Sequence, residues 1–133
     1  MRLRSTKNNK MRPSKYIQQA KRTETEKYRF KKTGNVTPRI EHAAMGIATE
    51  SGELMDAIKK AKIYGRDLDK TNLIEELGDL MWYIAILTDD LGTSFEEVWD
   101  KNIKKLKARY PEKYTDEKAH NRNLPKERKE LEK

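Results

Sequence analysis

Two pairs of acidic residues stand out by their spacing. Glu50 and Glu53 lie three residues apart in Glu50-Ser-Gly-Glu53, and Glu76 and Asp79 repeat the interval in Glu76-Leu-Gly-Asp79. Side chains three apart on an α-helix share a face, so each pair presents two carboxylates in one direction. Glu50 also interrupts an apolar stripe, three residues after Ile47 and four before Leu54, where leucine would be expected, and Glu76 does the same between Leu73 and Leu80. An uncompensated buried carboxylate costs several kcal/mol, and four converging ones repel each other as well, so a cation or bound protons must offset them. A hard, all-oxygen donor set without imidazole or thiolate suits Mg²⁺ or Mn²⁺ rather than zinc or iron. The competing reading pairs these acids with Lys59, Lys60 or Lys62, or lets them reach solvent. For one acid at the edge of a stripe that reading is the better one. Two pairs at matching heptad positions on consecutive helices favour the cation.

A divalent ion among carboxylates polarises phosphates and lowers the pKa of a bound water, and a neighbouring carboxylate can orient or deprotonate that water. Glu75 is a candidate extra base, against its reading as an exposed helix-surface acid. Asp56, three residues after Glu53, is a candidate outer partner of the ion, against an ordinary solvated residue. Further along, Lys101 and Lys105 lie four apart with Asn102 beside them, so two cations and an amide share a face suited to phosphates and a sugar or base. Arg109 follows at the helix end, next to Tyr110, as a candidate phosphate clamp. His42, Trp82 and Tyr83 are candidate base contacts, although the two aromatic rings fit a core equally well.

The elements that must carry these residues are helical. Thr37 offers an N-cap oxygen and Pro38 sits at the first helical position, which predicts a long helix from there to Gly65. Its stripe comprises Ile40, Ala43, Ala44, Ile47, Ser51, Leu54, Ala57, Ile58 and Ala61. A second long helix is expected from Asp69 or Lys70 to Leu91, striped by Leu73, Leu77, Leu80, Ile84, Leu87 and Leu91 and stopped by Gly92. The short connection from Gly65 to Asp69 folds the two antiparallel, so that the acid pairs face each other. Gly46, Gly52 and Gly78 sit inside these helices, where each costs roughly 1 kcal/mol against alanine, which suggests close approach of backbone, ligand or metal, or a packing notch. An earlier helix is expected from Ser14 to Phe30, with Tyr16, Ile17 and Ala20 as its apolar contacts. Ser94 and Glu97 form a capping box that starts a further helix from Phe95 to about Ala108. No strand alternation is visible, so the class is all-α.

These residues resemble the E-x-x-E…E-x-x-D signature of MazG-like all-α NTP pyrophosphatases, with a spacer of 22 residues between the two halves. The likeness runs over about residues 36–114 and includes Gly46-Ile-Ala-Thr-Glu-Ser-Gly-Glu-Leu, Glu75-Glu-Leu-Gly-Asp-Leu-Met-Trp-Tyr and Lys101-Asn-Ile-Lys-Lys-Leu-Lys-Ala-Arg-Tyr-Pro111. The resemblance implies an antiparallel helix bundle completed by oligomerisation, with Mg²⁺ held by Glu50, Glu53, Glu76 and Asp79. It also implies attack of water at the α-phosphorus of an NTP or dNTP, release of pyrophosphate, and dimers or tetramers in which two subunits build each site. A phosphoribosyl-ATP pyrophosphohydrolase resembles the same superfamily and is the alternative within it.

Three segments are expected: a disordered basic lead-in over 1–13, a helical catalytic domain over 14–114, and a charged, partly ordered tail over 115–133. Net charge is +8 in 133 residues, but it is divided as +10 over residues 1–32, −8 over 33–100 and +6 over 101–133. An acidic centre between basic ends suits a divalent ion with a polyphosphate better than a plain basic face suits DNA, so a nucleic-acid-binding helical module is the weaker alternative. Only 35% of residues are hydrophobic, which leaves a single subunit thinly packed and favours a homodimer or homotetramer. The segment Leu80 to Leu87 is apolar all round, and Trp82 with Ile86 is expected to meet the partner subunit. With no cysteine, no apolar run long enough for a membrane and no apolar stretch in the basic N-terminus, a cytoplasmic protein is expected. Ferritin-like di-iron chemistry fails for want of Glu-x-x-His motifs, and an EF-hand at Asp67 fails because Asn72 replaces the turn glycine.

Overall fold

The computed structural model describes residues 10–133 and is all-α. The helices among the described residues are α1 (Pro13–Lys21), α2 (Pro38–Lys62), α3 (Lys70–Asp90), α4 (Phe95–Arg109), α5 (Asp116–His120) and α6 (Leu124–Glu132). They fall into two compact units, Met1–Gly92 and Thr93–Lys133. The basic lead-in expected over 1–13 lies outside the described residues up to residue 9, and Pro13 already belongs to α1. None of the described helices is long and apolar enough to cross a membrane.

The first unit is built around an α2–α3 hairpin whose ends are set by local chemistry. The Thr37 hydroxyl accepts the Ile40 N–H at 3.1 Å, with Pro38 in the first turn. After Lys62 the chain turns through Gly65 at φ 66°, and the Arg66 N–H returns to the Lys60 carbonyl at 3.2 Å. Asp69 then caps α3 by accepting the Asn72 N–H at 3.0 Å, and Gly92 at φ 68° follows its end. The helices run antiparallel: Thr37 at the start of α2 bonds Asp90 at the end of α3, and Gly46 faces Tyr83. A Cβ on Gly46 would overlap the Tyr83 ring, so this glycine is a packing notch, whereas Gly52 and Gly78 face open space.

Helix α1 lies along α3 and buries Ile17 and Ala20, while Ala43 and Ala57 of α2 and Ala85 and Ile86 of α3 complete a small apolar core. The helix expected to reach Phe30 stops at Lys21. Its apolar stripe runs out at Thr23 and Glu24, and the Thr23 hydroxyl donates to the Ala20 carbonyl at 2.8 Å, competing with continued helix. The segment that follows is held by Arg39 instead. That guanidinium meets Glu24 at 2.7 Å, Asp89 at 2.8 Å and Asp90 at 3.3 Å, and Lys21 joins Asp89 at 3.3 Å.

Two expectations about α3 are corrected. Ile86 is 1% exposed and so buried within the subunit, and the Trp82 indole N–H donates to the Ala20 carbonyl at 3.2 Å and to Thr23 Oγ1 at 2.7 Å, which engages it with the end of α1. Periodicity cannot say which neighbour takes which side of a helix that is apolar all round. Conversely Leu77, Ile84 and Leu91, assigned to the core stripe, are exposed, together with Ile74 and Met81.

In the second unit Ser94 accepts the Glu97 N–H at 3.1 Å, but the Glu97 carboxylate accepts the Thr93 hydroxyl at 2.8 Å and pairs with Lys101, so the capping box is only half made. The tail expected to be half-ordered contains α5 and α6, and α6 packs on α4. Asn123 caps α6 by accepting the Lys126 N–H at 3.1 Å, Pro125 sits in its first turn, and Glu127 anchors it to Arg109.

Candidate metal centre

Antiparallel pairing of α2 and α3 brings Glu50 of the first opposite Glu76 and Asp79 of the second. One carboxylate oxygen from each lies within 4.8 Å of the other two. Burial first, then the nearby Glu76 carboxylate and the negative charges of Asp79 and Glu53, push the Glu50 carboxyl above its ordinary 4.5. Asn72, one turn before Glu76, donates its amide to Glu76 Oε1 at 2.9 Å and orients it. The Tyr16 hydroxyl on α1 donates to the Gly78 carbonyl at 3.4 Å, and burial followed by the Asp79 charge raises its pKa. An open cleft of about 390 Å³ beside the acids is lined by Glu50, Asp79, Trp82 and Tyr83.

This donor set fits a hard divalent cation. It is all oxygen, it concentrates negative charge, and its three ligand oxygens lie close enough together to reach one ion. The negative charges that help to raise the Glu50 carboxyl are those a cation would offset. The pairing of these acids with helix lysines is not what forms: Lys60 and Lys59 go to Asp56, at 2.6 Å and 3.9 Å.

The structure places the other candidates as follows. Glu53 is exposed and stands outside the three-acid group, although its charge still acts on Glu50. Asp56 is an ordinary member of a surface ion pair, and Glu75 is exposed on a separate cleft with Lys60, Arg66 and Asn72. His42 sits edge-to-face in an aromatic cluster, its ring centroid 5.7 Å from that of Tyr28, 6.5 Å from Trp82 and 5.4 Å from Tyr83, and its Nδ1 is buried without a hydrogen-bond partner among the described residues. Lys101, Asn102, Lys105 and Arg109 are all on α4. Lys101 donates to the Leu131 carbonyl at 3.0 Å and Arg109 is engaged by Glu127, whereas Asn102 is exposed and Lys105 half-buried. Sequence reasoning missed Asn72 and Tyr16. Asn72 could have been found, since it lies four residues before Glu76 on the same face. Tyr16 is brought in by tertiary packing and leaves no local signal.

Residues 40–114 match the MazG nucleotide pyrophosphohydrolase domain, and the chain belongs to that family. It is 34% identical over 77 residues to the Gene 37 protein of Mycobacterium phage L5, a match covering 53% of this chain and 65% of that one. It is 39% identical over 71 residues to the Uncharacterized protein YvdC of Bacillus subtilis (strain 168), covering 46% of this chain and 66% of that one. The matched region thus spans just under two thirds of the length of either relative. No solved structure matches the chain significantly. Membership supports a pyrophosphohydrolase-type activity, and the acidic cluster could coordinate a metal consistent with it.

Proposed function

We propose that the chain is a Mg²⁺-dependent nucleoside triphosphate pyrophosphohydrolase, with Mn²⁺ as a substitute ion, acting in the cytoplasm on NTP or dNTP to clean up or control nucleotide pools. The observation that carries this reading is the convergence of Glu50, Glu76 and Asp79 from two antiparallel helices in a chain of the MazG family. Glu50, Glu53, Glu76 and Asp79 would hold the ion, which would supply charge for the phosphates and lower the pKa of the attacking water. A carboxylate of the cluster takes the proton of that water, which joins the α-phosphorus as pyrophosphate leaves with the bond electrons. Lys101, Asn102, Lys105 and Arg109 bind the phosphates and sugar, and His42 with the neighbouring aromatic rings bounds the base. The enzyme works as a homodimer or homotetramer, associated through the exposed apolar face of α3 at Ile74, Leu77, Met81 and Ile84.

The test is a screen of every NTP and dNTP with the purified chain, in Mg²⁺, Mn²⁺ or EDTA, with pyrophosphate and monophosphate both quantified. The expected result is equal amounts of the two products, and only with a divalent ion. Release of orthophosphate, or no product from any nucleotide, would overturn the assignment.

A further inference from the structure

Glu127 is the one buried ionisable side chain among the described residues, at 3% exposure. Its carboxylate collects four N–H donors from two arginines. Arg109 Nε donates to Oε1 at 2.8 Å and Arg109 Nη2 to the same oxygen, while Arg122 Nε reaches Oε2 and Arg122 Nη2 reaches Oε1, each at 3.2 Å. Three of the four donors therefore crowd onto one oxygen, and one negative charge stands between two positive ones. Helix α6 takes a second cation of α4 in the same way, through the Leu131 carbonyl on Lys101 Nζ at 3.0 Å. Arg109 and Lys101 are two of the cations whose position on α4 suits them to phosphate.

A buried ion pair is a weak source of stability compared with apolar packing of the same volume. A phosphate group offers three terminal oxygens and up to two charges, and so could accept the same four donors without crowding and neutralise both arginines. The way in is open on one side: the Arg109 side chain is 16% exposed, that of Arg122 42%. Hydrogen bonds from Arg122, and after them those from Arg109, hold the Glu127 carboxyl below its ordinary range, so it stays charged wherever the enzyme would work.

We propose that Arg109 and Arg122 form a polyphosphate-binding clamp, and that Glu127 of α6 occupies it as an intramolecular stand-in which an incoming polyphosphate displaces, freeing Lys101 as α6 lifts. The identity of the natural ligand as a nucleoside triphosphate rests on the function proposed above, whereas the anion exchange is a property of the clamp alone. Because α6 competes with the ligand, apparent affinity is reduced by the fraction of molecules in which the clamp is closed.

The experiment uses the full chain and inorganic tripolyphosphate, in EDTA, so that no turnover is needed. Calorimetric titration of the wild type, Glu127→Gln and Arg122→Met is combined with amide hydrogen exchange of residues 124–132. Expected are an affinity about tenfold higher in Glu127→Gln, about tenfold lower in Arg122→Met, and faster exchange in α6 of the wild type when tripolyphosphate is added. Equal affinities in wild type and Glu127→Gln, or α6 exchange that tripolyphosphate leaves unchanged or slows, would overturn the clamp and make Glu127 a staple. The exchange measurement needs no variant, so it decides the matter even if Glu127→Gln fails to fold. A lower KM for the preferred nucleotide in Glu127→Gln would tie the clamp to catalysis. A wild type that binds tripolyphosphate as expected yet releases no pyrophosphate would leave the clamp standing and remove the proposed function.

Discussion

Burial and the negative charges of its neighbours push the Glu50 carboxyl up where three carboxylates converge, and a cation held among them would offset that repulsion. Asp79→Asn keeps the volume and removes one charge, and the site's contribution to charge stabilisation is worth several kcal/mol. Pyrophosphate release is therefore expected to fall about a hundredfold or more, with an unchanged far-ultraviolet circular dichroism spectrum. Near-normal turnover would place the ion elsewhere. Glu50→Leu restores the leucine that the apolar stripe would otherwise carry. It is expected to abolish activity yet raise the melting temperature in EDTA, because it deletes a charge that burial and its neighbours disfavour. A lower melting temperature in EDTA would show that Glu50 has a structural role of its own.

The α2–α3 hairpin is exact enough in its packing to separate glycines that look alike in the sequence. Gly46→Ala pushes a methyl into the Tyr83 ring and is expected to cost about 2 kcal/mol, whereas Gly52→Ala meets nothing within the subunit and is expected to gain about 1 kcal/mol through helix propensity. Denaturant titration of both variants under metal-free conditions reads the contrast directly, and equal effects would refute the notch at Gly46. This hairpin was legible in the sequence because its punctuation is chemical and local: Thr37-Pro38, Gly65, Asp69 and Gly92 each act within a few residues of where they stand. The acid cluster was legible for the same reason, as spacing on a helix translates directly into a shared face. What was not legible depends on contacts distant in sequence. The side of α3 that α1 covers is hidden in an all-apolar run, and the order of α6 hangs on Glu127 finding Arg109. Glu53 has the same spacing credentials as Asp79, yet only the latter points into the group of three.

At the scale of the molecule, the small core and the exposed Ile74, Leu77, Met81 and Ile84 leave an apolar surface, and the association proposed above assigns it to a second copy. Ile74→Lys with Met81→Lys, seven residues apart on one face of α3, is expected to yield monomers in light scattering while the helices persist. A wild type already monomeric at assay concentration would refute the association. The Arg39 network has a consequence of a mechanical kind. Helices α2 and α3 are joined covalently through Gly65 at one end and ionically through Arg39, Asp89 and Asp90 at the other, so they behave as a beam clamped at both ends rather than as open tongs. Glu50 lies between, about 16 Å from the ionic clamp at the 1.5 Å rise of a helix. In Glu24 and Asp89 burial alone would raise the carboxyl, but the hydrogen bonds from Arg39, with those from Tyr28 and Lys21, outweigh it and hold both below their ordinary 4.5 and 3.8. Their stabilisation is thus fully present above those values and lost as pH falls through the lowered ones. Arg39→Met should abolish that acid-dependent part of the stability and, by letting the helices splay, weaken Mn²⁺ binding about tenfold without touching a ligand, measurable by titration of the paramagnetic ion. The stiffness of a gap between two helices, set by a guanidinium three turns away, would then be what keeps the carboxylates at coordinating distance.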